Sequence, residues 1–215
     1  PPLSASGLRQ ALAEVPAIIV GSIRTVRAST VLAALVAVEF LWGFGMIAFE
    51  TFTPARLATV MGNAHQAATV FGPASAGAWL AAAGGAALVP VLTRRWRPGH
   101  AAAGLRIAQG VTLLGIAFAV GPVGVVVAYV LTVGVNGASN PIHQGMLHRA
   151  IVEPRSRATM VSVNSLTGQA GGMLGGIGLG MLADTTSLTT AIVVGAIILS
   201  AAAPLYLIVA RRTGQ

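Results

Sequence analysis

The chain has no cysteine and no lysine, and only five acidic residues among its 215. Without cysteine there are no disulfides and no thiolate metal sites. Without lysine the GxxxxGK phosphate loop is excluded, and with it ATP bound through that motif. Charge of either sign is scarce: 8% of residues are charged, against roughly a quarter in a soluble domain. Aromatic residues are few, at 5%, so a large aromatic drug pocket is not indicated. What fills the chain is apolar, with 55% hydrophobic residues and a mean hydropathy of +0.81. A surface this poor in charge is suited to a bilayer rather than to water. Period-two alternation is weak and the apolar runs are long, which argues against a β-barrel. Helices remain as the way to satisfy backbone groups in hydrocarbon.

About 20 apolar residues cross a hydrocarbon core, and six segments reach that length. They are Thr30–Phe52, Ala67–Leu92, Ala101–Val120, Val123–Met146, Thr159–Ala183 and Leu188–Ala210. Breakers separate them: Thr53-Pro54, Arg97-Pro98-Gly99, Gly121-Pro122, Glu153-Pro154 and Asp184-Thr185-Thr186. The expected fold class is therefore all-α, a polytopic membrane protein with a six-transmembrane-helix bundle over residues 30–212. Residues 1–29 are expected to be a cytoplasmic linker or an interfacial amphipathic segment. Leu8, Leu12, Val15 and Ile19 fall there at helical spacing. This segment does not resemble a signal peptide, since Arg9, Glu14 and Pro16 interrupt its apolar run. Pro1, with no methionine before it, is expected to be a boundary within a longer protein.

All thirteen basic residues are arginine, and their placement sets the topology. With residues 1–29 inside, every arginine except Arg56 falls on the same face, counting Arg106 as snorkelling from one turn into the third span. Both termini are then cytoplasmic. The net charge of +8 thus reads as an orientation signal and not as a nucleic-acid footprint.

Polar residues inside apolar spans are the functional candidates. Glu39 lies near mid-membrane in span one, with Trp42, Met46 and Glu50 on its face. A carboxyl at that depth suits proton exchange, whereas Glu50 sits nearer the outer boundary and reads as solvated. Span four carries a stripe of Tyr129, Thr132, Asn136, Asn140 and His143. Asn140-Pro141 is expected to interrupt that helix and bare backbone carbonyls toward a cavity. His143 is either a titrating group or a residue solvated at the inner end. Ser165 and Gln169 on span five are weaker candidates. Span five repeats glycine at Gly168, Gly172, Gly176 and Gly180, with Gly171 and Gly175 alongside. Such a run allows close backbone approach, either as static packing or as a sliding interface. No metal site is expected, because His65, His100, His143 and His148 lack ligand spacing. Ser139 near His143 could suggest a hydrolase, but both lie on one helix, so the imidazole is poorly placed as its base.

Several stretches resemble the C-terminal six-helix half of a major facilitator superfamily transporter. Glu153-Pro154-Arg155-Ser156-Arg157, followed by the glycine run to Asp184, is similar to that family's basic loop and glycine-rich eleventh helix. Thr93-Arg94-Arg95-Trp96-Arg97-Pro98-Gly99 resembles its loop between helices eight and nine, without the acidic residue and the usual glycines. Ala48-Phe49-Glu50-Thr51-Phe52-Thr53-Pro54 is similar to the outer end of helix seven in bacterial efflux-type members. The resemblance implies two inverted three-helix repeats in a bacterial inner membrane. It also implies an N-terminal six-helix half as partner, a small-molecule substrate and protons, with no cofactor and no nucleic acid. Spans one and four would line the central cavity, making Glu39, Trp42, Met46, Asn136 and Asn140 substrate-facing. Spans two and five would meet the other half, and spans three and six would be outer, lipid-facing supports. A six-span protein with a structural or assembly role is the alternative.

Overall fold

The computed structural model describes residues 24, 26–151 and 157–214. Almost all of the segment before Thr30, and the Glu153–Ser156 part of the basic loop, lie outside the described residues. Every element among the described residues is helical. Helix α1 (Thr30–Glu50) begins at Ser29, whose hydroxyl accepts from the Leu32 amide at 3.3 Å. One residue, Thr51, separates it from α2 (Phe52–Met61). Thr53-Pro54 is therefore not the expected breaker. Pro54 stands in the first turn of α2, where backbone amides have no intrahelical acceptor in any case. The chain turns instead at Gly62, whose φ of +65° is left-handed. Asn63 then caps α3 (Ala64–Ala87), accepting from the Gln66 amide at 3.0 Å.

A short bend leads into α4 (Val89–Arg95), and Trp96-Arg97 into α5 (Pro98–Phe118). Residues Ala119–Gly121 connect to α6 (Pro122–Ala150), and α7 (Arg157–Thr185) follows the basic loop. Ser187 caps α8 (Leu188–Ser200), and α9 (Ala203–Thr213) completes the last rod after a bend at Ala201-Ala202. Six rods result: α1–α2, α3–α4, α5, α6, α7 and α8–α9.

Five of these rods are long and apolar enough to cross a membrane: Thr30–Met61, Ala64–Arg95, Pro98–Phe118, Pro122–Ala150 and Leu188–Thr213. The fifth expected span, α7, has the length, at 29 residues. It falls short on apolarity because glycine, serine, threonine and asparagine dilute its aliphatic residues. The molecule is an all-α bundle of the polytopic membrane type.

Among the described connections, short turns at Gly62-Asn63, Trp96-Arg97, Ala119–Gly121 and Thr186-Ser187 reverse the chain. The packing carries an internal equivalence. Rod one packs on rod five as rod four packs on rod two, and rod three packs on rod four as rod six packs on rod one. Rods three and six pack on each other. Exchanging the first three rods with the last three therefore preserves the main contacts, as two inverted three-helix repeats require. Rod three lies against α6, α8 and α9 on one side and exposes Ile107, Val111 and Phe118 on the other.

Glycines set the closest crossings. A Cβ on Gly43 would strike the Gly168 carbonyl, and one on Gly171 or Gly175 would strike the Phe40 or Phe44 carbonyl. At the equivalent α3–α6 crossing, Gly85 abuts the Gly134 carbonyl and Gly137 that of Ala82. Helix α6 runs unbroken through Asn140-Pro141, so the expected interruption is absent. Pro141 removes one amide while the helical assignment continues, and the Gly137 turn four residues earlier lies against Ala82 of α3.

The apolar core is divided. One cluster includes Phe49, Leu113, Ile116, Val125 and Ile192; the other includes Leu35, Val38, Leu147, Met160 and Tyr206. Along α1, α5, α6 and α7 the residues between the clusters include Glu39, Arg106, Gln109, Ser139 and Asn164. A polar layer thus crosses the bundle at mid-depth.

Candidate functional site: a buried charged layer

Glu39 lies nine residues into α1, roughly 14 Å along its axis. Its Oε2 stands 3.2 Å from Nε2 of His143 on α6, an ion-pair distance without the alignment of a hydrogen bond. The two side chains are 12% and 1% exposed. Sequence alone left solvation open for His143; packing excludes it. The other ring nitrogen, Nδ1, is 2.9 Å from the Tyr206 hydroxyl on α9, and the rings meet edge to face. Tyr206 in turn lies within electrostatic reach of Arg106 on α5. Four helices thereby contribute one side chain each to a chain running Glu39–His143–Tyr206–Arg106.

Arg106 is the largest departure from expectation. It does not snorkel to the basic end but is 2% exposed, roughly 12 Å into α5. Its Nη1 donates to Gln109 Oε1 at 2.6 Å, while its Nε has no partner. No carboxylate among the described residues lies within ion-pair distance of it. A buried guanidinium is costly in hydrocarbon, so the layer carries a fixed cation whose nearest linked anion is Glu39, reached through Tyr206 and His143. Arg106, Gln109 and Tyr206 were missed because each, read singly, has an ordinary explanation. The one available signal was the i, i+3 pairing of Arg106 with Gln109 deep in an apolar helix.

Glu39 also has an open side. With Trp42, Met46, Ser165, Gly168 and Gln169 it lines a cleft of about 350 Å³ between α1 and α7. Gly168 makes room for it: a Cβ there would stand 3.0 Å from Glu39 Oε1. The Trp42 indole donates to Asn136 Oδ1 at 2.9 Å, tying α1 to α6. Asn136 and Asn140 line a second cleft of about 380 Å³, with Glu50, Trp79 and Tyr129. The expected cavity residues thus divide between two clefts joined by the Trp42–Asn136 bridge, with His143 behind Glu39. The stripe on α6 divides as well: Tyr129 shares the second cleft with Asn136 and Asn140, whereas Thr132 donates to the Ala128 carbonyl and meets the Thr112 hydroxyl at 2.9 Å.

The glycines of α7 separate into two faces. Gly168, Gly171 and Gly175 are buried against α1. Beyond Gly168, the fourfold series leaves that crossing: Gly176 and Gly180 face open space, and Gly172 has only a loose contact with Gly43. Ser139 is buried and its hydroxyl has no partner, while both nitrogens of His143 face Glu39 and Tyr206. Glu50 is exposed, as expected. No group of three or more His, Asp or Glu able to hold a metal occurs among the described residues.

No protein-family model and no curated protein sequence matches this chain. Fold and site together define a helical, polytopic membrane protein whose core holds a charged, largely dehydrated layer. That class includes carriers and pumps, where intramembrane ionisable groups serve ion pathways.

Proposed function

We propose that this bundle is the C-terminal half of a proton-coupled secondary transporter of the major facilitator type, working by alternating access. The observation that carries the reading is the Glu39–His143 pair, buried on one side and open to a cleft on the other. With Glu39 ionised, the layer balances the Arg106 charge. Adding a proton neutralises the pair and leaves the Arg106 charge uncompensated. That swing alters which packing of the layer is favourable, and so links proton uptake to a change in access. Trp42 and Met46 beside the carboxylate, and Asn136 and Asn140 across the bridge, are the surfaces offered to a small-molecule substrate.

A central cavity needs a second wall. The open face of α7 at Gly172, Gly176 and Gly180, together with the largely exposed α3, is available to an N-terminal six-helix half. The likeness of Ala48–Pro54 to efflux-type members supports antiport across a bacterial inner membrane. The arginine distribution supports cytoplasmic termini. The test is a flux screen in proteoliposomes of the complete protein, with an imposed pH gradient and a panel of cationic drugs, sugars and organic anions. At least one compound should move only while the gradient lasts and stop with a protonophore. Gradient-independent behaviour across the panel would favour a structural or assembly role.

A further inference from the structure

At the arginine-rich end, two apolar grooves lie on the outer surface on either side of Leu105. One, about 440 Å³, follows α5 past His100, Gly104 and Ala108 and begins at Trp96. The other, about 410 Å³ and almost wholly apolar, runs over Gly84, Leu88 and Leu92 toward α6. Leu105 belongs to both walls. From His100 to Ala108 along α5, and from Leu92 to Gly84 across the α4–α3 bend, each groove descends roughly 12 Å from the arginine-rich end. Gly104 and Gly84 have nothing within 4 Å of where a Cβ would stand, so the absence of side chains there keeps both floors open without serving a helix contact.

The heads of both grooves adjoin a cluster of charge. Arg94, Arg95 and Arg97 are exposed around Trp96, which is itself 53% exposed. No carboxylate among the described residues pairs with them. An amphipathic indole beside guanidinium groups is the pattern of a membrane–water interface, and clustered arginine draws anionic headgroups. We infer that this corner is a binding site for one anionic diacyl phospholipid, its phosphate on Arg94, Arg95 and Arg97 and its two acyl chains in the grooves flanking Leu105. A single shared wall between two grooves matches the two chains of one glycerol backbone, which a single-chain amphiphile would leave half filled. The site lies apart from the charged layer, and the inference rests on membrane embedding alone.

Native mass spectrometry of the purified chain in neutral detergent tests it, with dioleoyl phosphatidylglycerol, dioleoyl phosphatidylcholine and single-chain lysophosphatidylglycerol as probes. Each arginine at an anionic surface is worth on the order of fivefold in binding. One phosphatidylglycerol should therefore bind per chain, at least about tenfold tighter than phosphatidylcholine. The lyso lipid should bind more weakly than its diacyl counterpart. The Arg94→Gln/Arg95→Gln/Arg97→Gln variant should lose the headgroup preference, and Arg211→Gln/Arg212→Gln should keep it. Gly104→Leu or Gly84→Leu should weaken phosphatidylglycerol with all arginines in place. Equal binding of the two diacyl lipids overturns the inference. So does equal loss in the Arg211/Arg212 variant, or full binding in both glycine variants. Should the triple variant fail to fold, the wild-type lipid comparison and the glycine variants decide.

Discussion

A single arginine shows how burial and not sequence position decides a residue's role. Arg106 holds one hydrogen bond to Gln109 and no carboxylate, so its charge costs stability that no close anion returns. Replacing both partners by apolar groups of similar shape removes that cost and leaves neither member of the pair unsatisfied. Arg106→Met/Gln109→Leu should therefore melt at or above the wild-type temperature while reducing proton-coupled flux. Arg106→Met alone should melt lower, by roughly 1–3 kcal/mol, because the buried Gln109 amide loses its partner. A double variant that unfolds would make the pair structural. At this scale Glu39 was legible, since a carboxylate in the middle of an apolar run has few readings. Arg106 and Tyr206 were not, because the contact among α5, α6 and α9 joins residues separated by 63 positions between His143 and Tyr206.

Among the elements, α7 illustrates what a repeat of glycines can and cannot specify. Glycine every fourth residue announces a close helix crossing, and one exists against α1. The phase of that crossing belongs to Gly168, Gly171 and Gly175 and not to Gly172, Gly176 and Gly180. A helix that is small-faced on two sides does not reveal which side its neighbour takes. The distinction is measurable. Gly171→Ala should lower the melting temperature sharply, since its methyl would enter the Phe40 and Phe44 backbone. Gly176→Ala should leave stability unchanged or slightly raised, as alanine favours helix by about 1 kcal/mol. Gly176→Leu, if this face meets a second bundle, should slow transport in the complete protein at unchanged stability. Equal melting losses at 171 and 176 would contradict the two-face description. The other element-scale miss was Asn140-Pro141, where proline chemistry forecast a break but α6 stays helical from Pro122 to Ala150, with Gly137 packed on Ala82 one turn before the proline.

For the whole molecule, the number of rods and their approximate limits followed from apolar run length, whereas the bends at Thr51, Leu88 and Ala201-Ala202 did not. Bends that keep the helix axis nearly continuous leave little trace in composition. The repeat equivalence of rods one to three with four to six also emerged only from packing. Because the chain contains no cysteine, its orientation can be read directly with single introduced thiols. In intact cells a membrane-impermeant maleimide should label Asn63→Cys and Ser187→Cys but not Arg97→Cys or Thr213→Cys. Labelling of the second pair instead would invert the topology and remove the positive-inside argument.

The proton role of the layer ties these scales together, and one recording addresses it. Complete protein is sealed into liposomes with a pH-sensitive dye in the lumen, and a transported compound from the flux screen is added outside without any imposed gradient. Wild-type protein should show a compound-driven change in luminal pH. Glu39→Gln, inserted in the membrane to the same level, should show none. A Glu39→Gln trace that matches wild type would contradict the assignment of proton exchange to the Glu39–His143 pair.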